Sequence, residues 1–375
     1  MNVLVLSNND LFSRWVTFSL STVGHRVDVM TPGAHRLTRL SRHCQAHTPC
    51  DAGGLHRQDR ALLDRVAAYC RLQSVEWVVP ADLPAALLLA KGKQDLPGIG
   101  LFPISEPELI QQLHNKWEFF QLVSSLGLPV PRTWRLESQE QAERAPLEFP
   151  LMLKPIAGEG GAGVLRIESR SALSAILEGY AAKYRWPIVA QEYIPGKDID
   201  ISILADHGRV VAWTIQRNYG GEQGLIEFCK HPRMLEVATA LIGACRYHGV
   251  VHFDMRLDAR TEAPLFVEAN PRFWGSLRHS VWSGVNFAAL GLSLANGENL
   301  SGRFTPVTGP CRDPGFSIRP LVGALLQGRG RPDGWSFATE TGWRSHLEDP
   351  IPEVVNRLRR LSRRLRGLPL DALPT

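Results

Sequence analysis

LKPIAGEGGAGVLRI, residues 153–167, is the stretch on which the fold turns. Gly158, Gly160 and Gly163 match the spacing GxGxxG, which in a dinucleotide-binding fold must open a helix. Here VLRIE follows, and it alternates as a strand does. The loop therefore joins two strands, Pro150–Lys154 and Val164–Glu168. A plain hairpin turn is the bland reading. Four glycines within residues 158–163 exceed what a turn needs, so the loop reads as a flap. Glycine lets the backbone approach phosphate oxygens and aim N–H groups at them. GxxxxGK[ST] does not occur, which argues against a P-loop enzyme.

Lys154 sits on the strand entering the flap, among Leu151, Met152 and Leu153. An ammonium buried there is costly without an anionic partner. Only seven of the 42 basic residues are lysines. A compact ammonium suits phosphate as a point charge. Lys116, in HNKWEFF, reads by itself as a solvated surface lysine. Downstream, VVHFDMRLD (250–258) alternates, with Val251, Phe253, Met255 and Leu257 on one face and His252, Asp254, Arg256 and Asp258 on the other. In LFVEANPR (265–272), Glu268 and Asn270 share a face. If these strands pair, Asp254, Glu268 and Asn270 form a set of hard oxygen ligands suited to Mg²⁺ held with substrate phosphates. Arg256 and Arg272 would flank the metal as charge clamps. The bland reading is the solvent-facing side of an antiparallel sheet.

The 375 residues imply two or three units. Residues 1–112 alternate strand and helix as a Rossmann-like parallel α/β domain does, but the turn SNNDLF after the first strand lacks a glycine fingerprint. A single helix is expected over His114–Leu126, ended by Gly127. Residues 113–308 read as strand-rich and largely antiparallel, including strands on either side of a Pro195–Gly196 turn. Residues 309–375 form an extension ending in a basic helix. There Val354, Leu358, Leu361, Leu365 and Leu368 fall in one apolar stripe. That stripe is expected to dock on the chain's own surface, with dimer packing, membrane or nucleic-acid contact as alternatives. No stretch approaches the roughly 20 apolar residues of a membrane helix, and no signal peptide is read. The six cysteines form no CxxC pair, consistent with reduced thiols and a cytoplasmic protein. The net charge of +5 suits a polyanionic ligand, whether nucleotide or nucleic acid.

These pieces, in this order, resemble the ATP-grasp superfamily over roughly residues 113–295, and the preceding α/β unit resembles its usual N-terminal domain. EANPRFWGSL is most similar to carboxylate–amine ligase-like members, the group of D-aspartate ligase and carbamoyl phosphate synthase. The resemblance implies an ATP-grasp fold of two α+β subdomains, a glycine-flap part at about 118–190 and a metal-binding part at about 191–308. It implies that Lys116 and Lys154 hold phosphates, and that Gly158, Glu159, Gly160, Gly161 and Gly163 close over them. Gln191, Glu192, Tyr193 and Ile194 would form the hinge that reads adenine, and Asp198 would bind the ribose. Asp254, Glu268 and Asn270 would ligate two Mg²⁺ ions, or Mn²⁺. Arg272 would steady the phosphoryl group or substrate carboxylate, and Arg217 would do similar work. Two departures from the family pattern stand out: many relatives carry glutamate at the position of Gln191, and Lys197 adjoins Asp198.

The implied reaction is ATP-dependent ligation of a small-molecule carboxylate to an amine through an acylphosphate, with Lys154, Arg256 and Arg272 as the catalytic cations. His252 is a candidate base, with a hydrogen-bonded structural role as the blander reading. The alternatives are an ATP-binding protein without turnover, a nucleic-acid binder and a dehydrogenase. A homodimer is the default assembly.

Overall fold

The computed structural model describes residues 1–33, 36–158, 160–218, 225–300, 303–312 and 349–365. The chain begins β1 (Asn2–Leu6), α1 (Asp10–Ser21), β2 (Arg26–Pro32), β3 (Ala46–Cys50), α2 (Ala52–Arg57), α3 (Arg60–Leu72), β4 (Trp77–Pro80), α4 (Leu83–Lys91) and β5 (Gly100–Leu101). These strands form one parallel sheet in the order β3-β2-β1-β4-β5. Val3, Val5, Val27, Val29 and Val79 face one core, while Leu4, Leu6, Met30 and Val78 face another. Burial on both faces explains the unbroken apolar runs of β1 and β4. The first part of the chain is thus a Rossmann-like doubly wound unit.

Next come α5 (Pro107–His114) and α6 (Lys116–Ser125). The helix expected over His114–Leu126 is α6, which starts two residues later because Asn115 is extended and caps it, and α5 before it was not expected. The Asn115 Oδ1 accepts from Trp117 N at 3.0 Å and Glu118 N at 3.2 Å. The break places Lys116 in the first turn of α6, where its own backbone N–H reaches Ile156 O at 2.9 Å.

β6 (Thr133–Leu136), α7 (Gln139–Arg144), β7 (Leu151–Pro155), β8 (Leu165–Ile167), α8 (Arg170–Tyr184) and β9 (Ile188–Glu192) follow. They make an antiparallel sheet in the order β6-β9-β7-β8. The remaining elements are β10 (Gly196–Asp206), β11 (Arg209–Asn218), β12 (Leu225–Cys229), α9 (Pro232–Ala244), β13 (Gly249–Asp258), β14 (Pro264–Asn270), α10 (Leu277–Trp282), α11 (Phe287–Ala295), β15 (Gly309–Arg312) and α12 (Pro350–Leu365). Their strands form a second antiparallel sheet, β14-β13-β10-β11-β12-β15. The turn expected at Pro195–Gly196 is therefore no hairpin, since β9 and β10 belong to different sheets and the dipeptide is the crossing between them. Gly196 has φ +148°, and a Cβ there would lie 1.9 Å from Leu257 O, so only glycine fits the crossing.

The six-stranded sheet packs on both faces. Ile199, Ile201, Phe253, Met255 and Phe266 meet α6 and α9 in one core, joined by Phe119, Val237 and Leu241. On the other face, Leu204, Ala212 and Val250 share a core with Trp15 and Val16 of α1 and with Trp274, Leu277 and Phe287. The parallel unit is thereby pressed against the large sheet, and α1 approaches the segment that follows β14.

Helix α12 rests on the body differently from expectation. Pro352 is buried and Val355 and Asn356 are half-buried, while Val354 and Leu358 of the apolar stripe are 45% and 61% exposed. Asp349, just before the helix, accepts from Ser41 Oγ at 2.7 Å and from Arg42 N at 3.1 Å. Leu368 and Glu159 lie outside the described residues.

A buried carboxylate and a half-buried imidazole generate predictions about the folded state. The Asp82 carboxylate accepts from Ser7 Oγ at 2.7 Å, Asn9 N at 2.7 Å, Ala85 N at 3.1 Å and the Asn8 N–H, so it ties the end of β1 to the cap of α4. Asp82→Ala leaves these donors unmatched and lowers stability by about 3 kcal/mol in denaturant unfolding. His248 stacks on His207 with centroids 4.0 Å apart. Burial, then the neighbouring His207, pushes its imidazole down to about 4 from an ordinary 6.5, against the pull of Asp206. The folded state therefore resists a proton that the unfolded chain accepts, and stability falls as pH drops from about 6.5 to about 4. In His248→Asn, the drop in melting temperature over that window is smaller than in the parent chain.

Candidate functional site

The site forms where the two antiparallel sheets face each other across the Pro195–Gly196 crossing. On β7, Leu151 and Leu153 turn into the core of the four-stranded sheet, so Lys154 turns the opposite way. It is 4% exposed, and its ammonium donates to Gln191 Oε1 at 2.6 Å. Gln191 in turn donates from Nε2 to Thr133 Oγ1 at 3.1 Å, and Thr133 Oγ1 donates to Pro131 O at 2.9 Å. This chain fixes the amide with its carbonyl toward the lysine. Burial lowers the Lys154 ammonium to about 8, with Glu268 and Asp254 opposing the shift and Lys116 adding to it.

Lys116 enters from α6. Its ammonium lies 3.3 Å from Glu268 Oε2 and donates to Gly158 O at 3.2 Å. Side-chain exposure is 5% for the lysine and 17% for the glutamate. One cation thus touches both the flap and the strand of the opposite sheet. Gly158, Gly160, Gly161 and Gly163 all take positive φ, which accounts for the glycine run. Tyr180 Oη anchors the far end by donating to Gly163 O at 2.7 Å.

β13 and β14 pair so that Asp254 faces Glu268 and His252 faces Asn270, with a bulge after Asp254. Asp254 accepts from Asn270 Nδ2 at 2.8 Å and lies 3.3 Å from His252 Nε2. Asn270 Oδ1 accepts from Arg272 Nη2 at 2.9 Å, and Arg272 Nη1 donates to Phe273 O at 2.8 Å. The guanidinium of Arg272 stacks 4.6 Å from the Phe12 ring of α1. Burial, and then the charge of Asp254, raises the Glu268 carboxyl, while Lys116 and Lys154 hold it down. The expected residues Lys116, Lys154, Asp254, Glu268, Asn270 and Arg272 therefore come together.

Arg256 does not join them. Its ladder partner on β10 is Asp198, which aims its guanidinium at the crossing instead of at the carboxylates. It donates from Nε to Ile194 O, from Nη2 to Gly196 O at 3.0 Å, and from Nη1 to the Asp198 carboxylate. Arg166 and Arg256 both lie over the Tyr193 ring, at 4.1 and 5.5 Å. Glu192 faces Arg132 at 3.2 Å and Arg260 at 3.5 Å, so its carboxylate is engaged at the rim. Arg217 lies half-buried on β11 opposite Glu227 of β12.

A group not anticipated above sits beside Asp254. The ligand atoms of Asp200, His252 and Asp254 lie within 4.8 Å of one another. Asp200 is 4% exposed, and burial raises its carboxyl well above the usual range. Ser202 Oγ and His252 Nδ1 are 2.9 Å apart, and Gln216 Nε2 donates to Ser276 Oγ at 2.9 Å. The signal was present in KDIDISI: Asp198, Asp200 and Ser202 alternate with Ile199, Ile201 and Ile203, so all three polar residues share one face.

The arrangement brings both signs of charge together, the ammoniums buried and the Asp254 carboxylate 41% exposed at the opening. Two ammoniums are matched by two carboxylates, with a guanidinium at the edge. Carboxylate oxygens suit a hard divalent cation and ammoniums suit phosphate, so the side chains fit a magnesium-bound triphosphate. Lys116 and Glu268 neutralise each other at 3.3 Å, and such a ligand offers each a partner of its own.

Comparison with known proteins agrees with this order of parts. Residues 185–312 match the family model described as ATP-grasp in the biosynthetic pathway with Ter operon, and residues 137–223 match that of the prokaryotic glutathione synthetase ATP-grasp domain. D-aspartate ligase of Enterococcus faecium (strain Aus0004) is 25% identical over 229 residues, 54% of this chain and 54% of that protein. The matched region thus spans about half the length of that relative. Among solved structures, an L-amino acid ligase from Bacillus licheniformis superposes with TM-score 0.63 at 20% identity, covering 81% of this chain and 76% of that one. The N5-carboxyaminoimidazole synthetase from Staphylococcus aureus complexed with ADP gives 0.66 at 13% identity, covering 87% and 86%. Three sheets in this order, a glycine loop between two strands of the second and paired acidic strands at the edge of the third are the parts of an ATP-grasp fold, and the ATP-grasp family models match residues 137–223 and 185–312 of the chain.

Proposed function

We propose that the chain is an ATP-dependent ligase that activates a small-molecule carboxylate as an acylphosphate and joins it to an amine, releasing ADP and phosphate. The observation that carries this reading is the convergence of Lys116, Lys154, Asp254 and Glu268, drawn from a helix and two different sheets, on one place. The name of the D-aspartate ligase relative supports an amino-acid-type acid as one class of substrate.

In this reading Lys116 and Lys154 bind the phosphates, and the 158–163 loop closes over them and keeps water out. Gln191 to Ile194 and Asp198 hold the nucleoside, with Arg256 bracing the backbone of that segment from behind. Asp254, Glu268 and Asn270 hold Mg²⁺, for which two ions are expected. Bound there, the metal would neutralise the charge of the phosphates. Arg272 orients the incoming carboxylate or the transferred phosphoryl group.

A carboxylate oxygen forms a bond to the γ-phosphorus while the bond to the ADP oxygen breaks. The amine then bonds to the acyl carbon, and phosphate departs. Catalysis is positioning plus electrostatics, because anions must be brought together.

The test is ADP release with pools of acids and amines, alongside binding of a fluorescent ATP analogue. Lys154→Ala and Lys116→Ala each lower ADP release about 100-fold or more, a loss of roughly 2.7 kcal/mol or more in transition-state stabilisation. Binding without ADP release from any pool overturns the ligase reading and leaves a nucleotide binder. No binding overturns both. For the metal, excess EDTA abolishes turnover and Mg²⁺ restores it. Glu268→Gln raises the Mg²⁺ concentration needed for half-maximal rate by about tenfold, which corresponds to about 1.4 kcal/mol. An unchanged Mg²⁺ profile removes Glu268 from the ligand set.

A further inference from the structure

Helix α12 presents an apolar ridge that the body leaves uncovered. Ile351, Val354 and Leu358 are 58%, 45% and 61% exposed, and their spacing of three and four puts them on one face. They are three of the eight exposed large apolar side chains among the described residues, although the helix is a small part of the chain. The docking face is a different one, with Pro352 buried and Val355 and Asn356 half-buried.

The charge of this segment is equally lopsided. Residues 353–368 hold six arginines, Arg357, Arg359, Arg360, Arg363, Arg364 and Arg366, against Glu353 alone. That excess of five equals the net charge of the whole chain, so the remainder is balanced. The positive character of the protein therefore resides in one amphipathic helix. No described helix is long and apolar enough to cross a membrane, and an amphipathic helix of this charge pattern suits a membrane surface.

We propose that α12 docks on an anionic bilayer surface, its apolar ridge among the acyl chains and its arginines among the headgroup phosphates. A bilayer meets both halves of the pattern at once. Nucleic acid would satisfy the arginines and leave the ridge in water. A second copy would cover the ridge and bring two sets of arginines together. Tethering through Asp349 to Ser41 and Arg42 sets the body beside the surface without using the ridge.

The test is sedimentation of the full chain with phospholipid vesicles. Vesicles of one part phosphatidylglycerol to two parts phosphatidylcholine carry the protein down, and vesicles of phosphatidylcholine alone do not. Leu358→Asp and Arg359→Glu each reduce the partition coefficient by roughly tenfold or more, the first through the apolar contact and the second through the charge. Both positions are exposed, and an unchanged melting temperature verifies that the fold is intact. Failure to sediment with anionic vesicles overturns the proposal. So does retention of vesicle binding by Leu358→Asp with duplex DNA displacing it, which identifies a nucleic-acid site. A dimer that Leu358→Asp dissociates, with no vesicle binding, identifies self-association instead. The outcome is independent of ligase activity.

Discussion

The Lys116–Glu268 ion pair is the contact on which the arrangement of this protein depends. It joins a helix that precedes the four-stranded sheet to an edge strand of the six-stranded sheet, and the same ammonium holds the carbonyl of Gly158 in the flap. Buried pairs of this kind are weak contributors to stability, because desolvation offsets the attraction. Lys154 beside it has a neutral amide as its hydrogen-bond partner and two carboxylates further out. A fold seeking stability alone would do as well with apolar side chains there. Two buried ammoniums facing one largely buried and one half-exposed carboxylate suit the proposed ligand, which carries both signs.

The crossing at Pro195–Gly196 is the second constraint. The chain passes between sheets only where Gly196 clears Leu257 O, and Arg256 then ties Ile194, Gly196 and Asp198 into one unit. The bound segment Gln191–Ile194 is therefore held by the large sheet although its strand belongs to the small one. A strand residue assigned to the metal from alternation alone turns out to stabilise the hinge. The cause is lateral register, since each β13 side chain also has a neighbour across the ladder on β10.

Legibility followed the range of the interactions. The apolar run of β1 and the alternation of β13 were readable because burial on one or both faces imposes them locally. The convergence of Lys154 with Asp254 and Glu268 followed from motif order and strand pairing. The break at Asn115 was hidden, since HNKWEFF carries a helical pattern and the cap bonds compete with it only once Ile156 O takes the Lys116 N–H. Short elements such as β6, α7, β12 and α10 were equally unreadable, because their stability comes from partners distant in sequence. Asp200 and His252 were visible as polar positions. Their proximity to Asp254 depends on the pairing of β10 with β13, which sets Asp200 opposite Asp254.

Gln191 illustrates how a single neutral side chain tunes the whole site. A glutamate in its place would pair with Lys154 and cancel its charge, as Glu268 does for Lys116 at 3.3 Å. The amide satisfies the hydrogen bond at 2.6 Å without that cancellation, and Thr133 fixes its orientation from behind. Lys154 therefore remains cationic toward whatever anion enters between the sheets, while its desolvation makes that anion more strongly attracted than it would be in water. Under the proposed function, the amide at this position leaves the charge of Lys154 to an incoming phosphate, while Arg256 holds the adjoining backbone at Ile194 and packs over the Tyr193 ring.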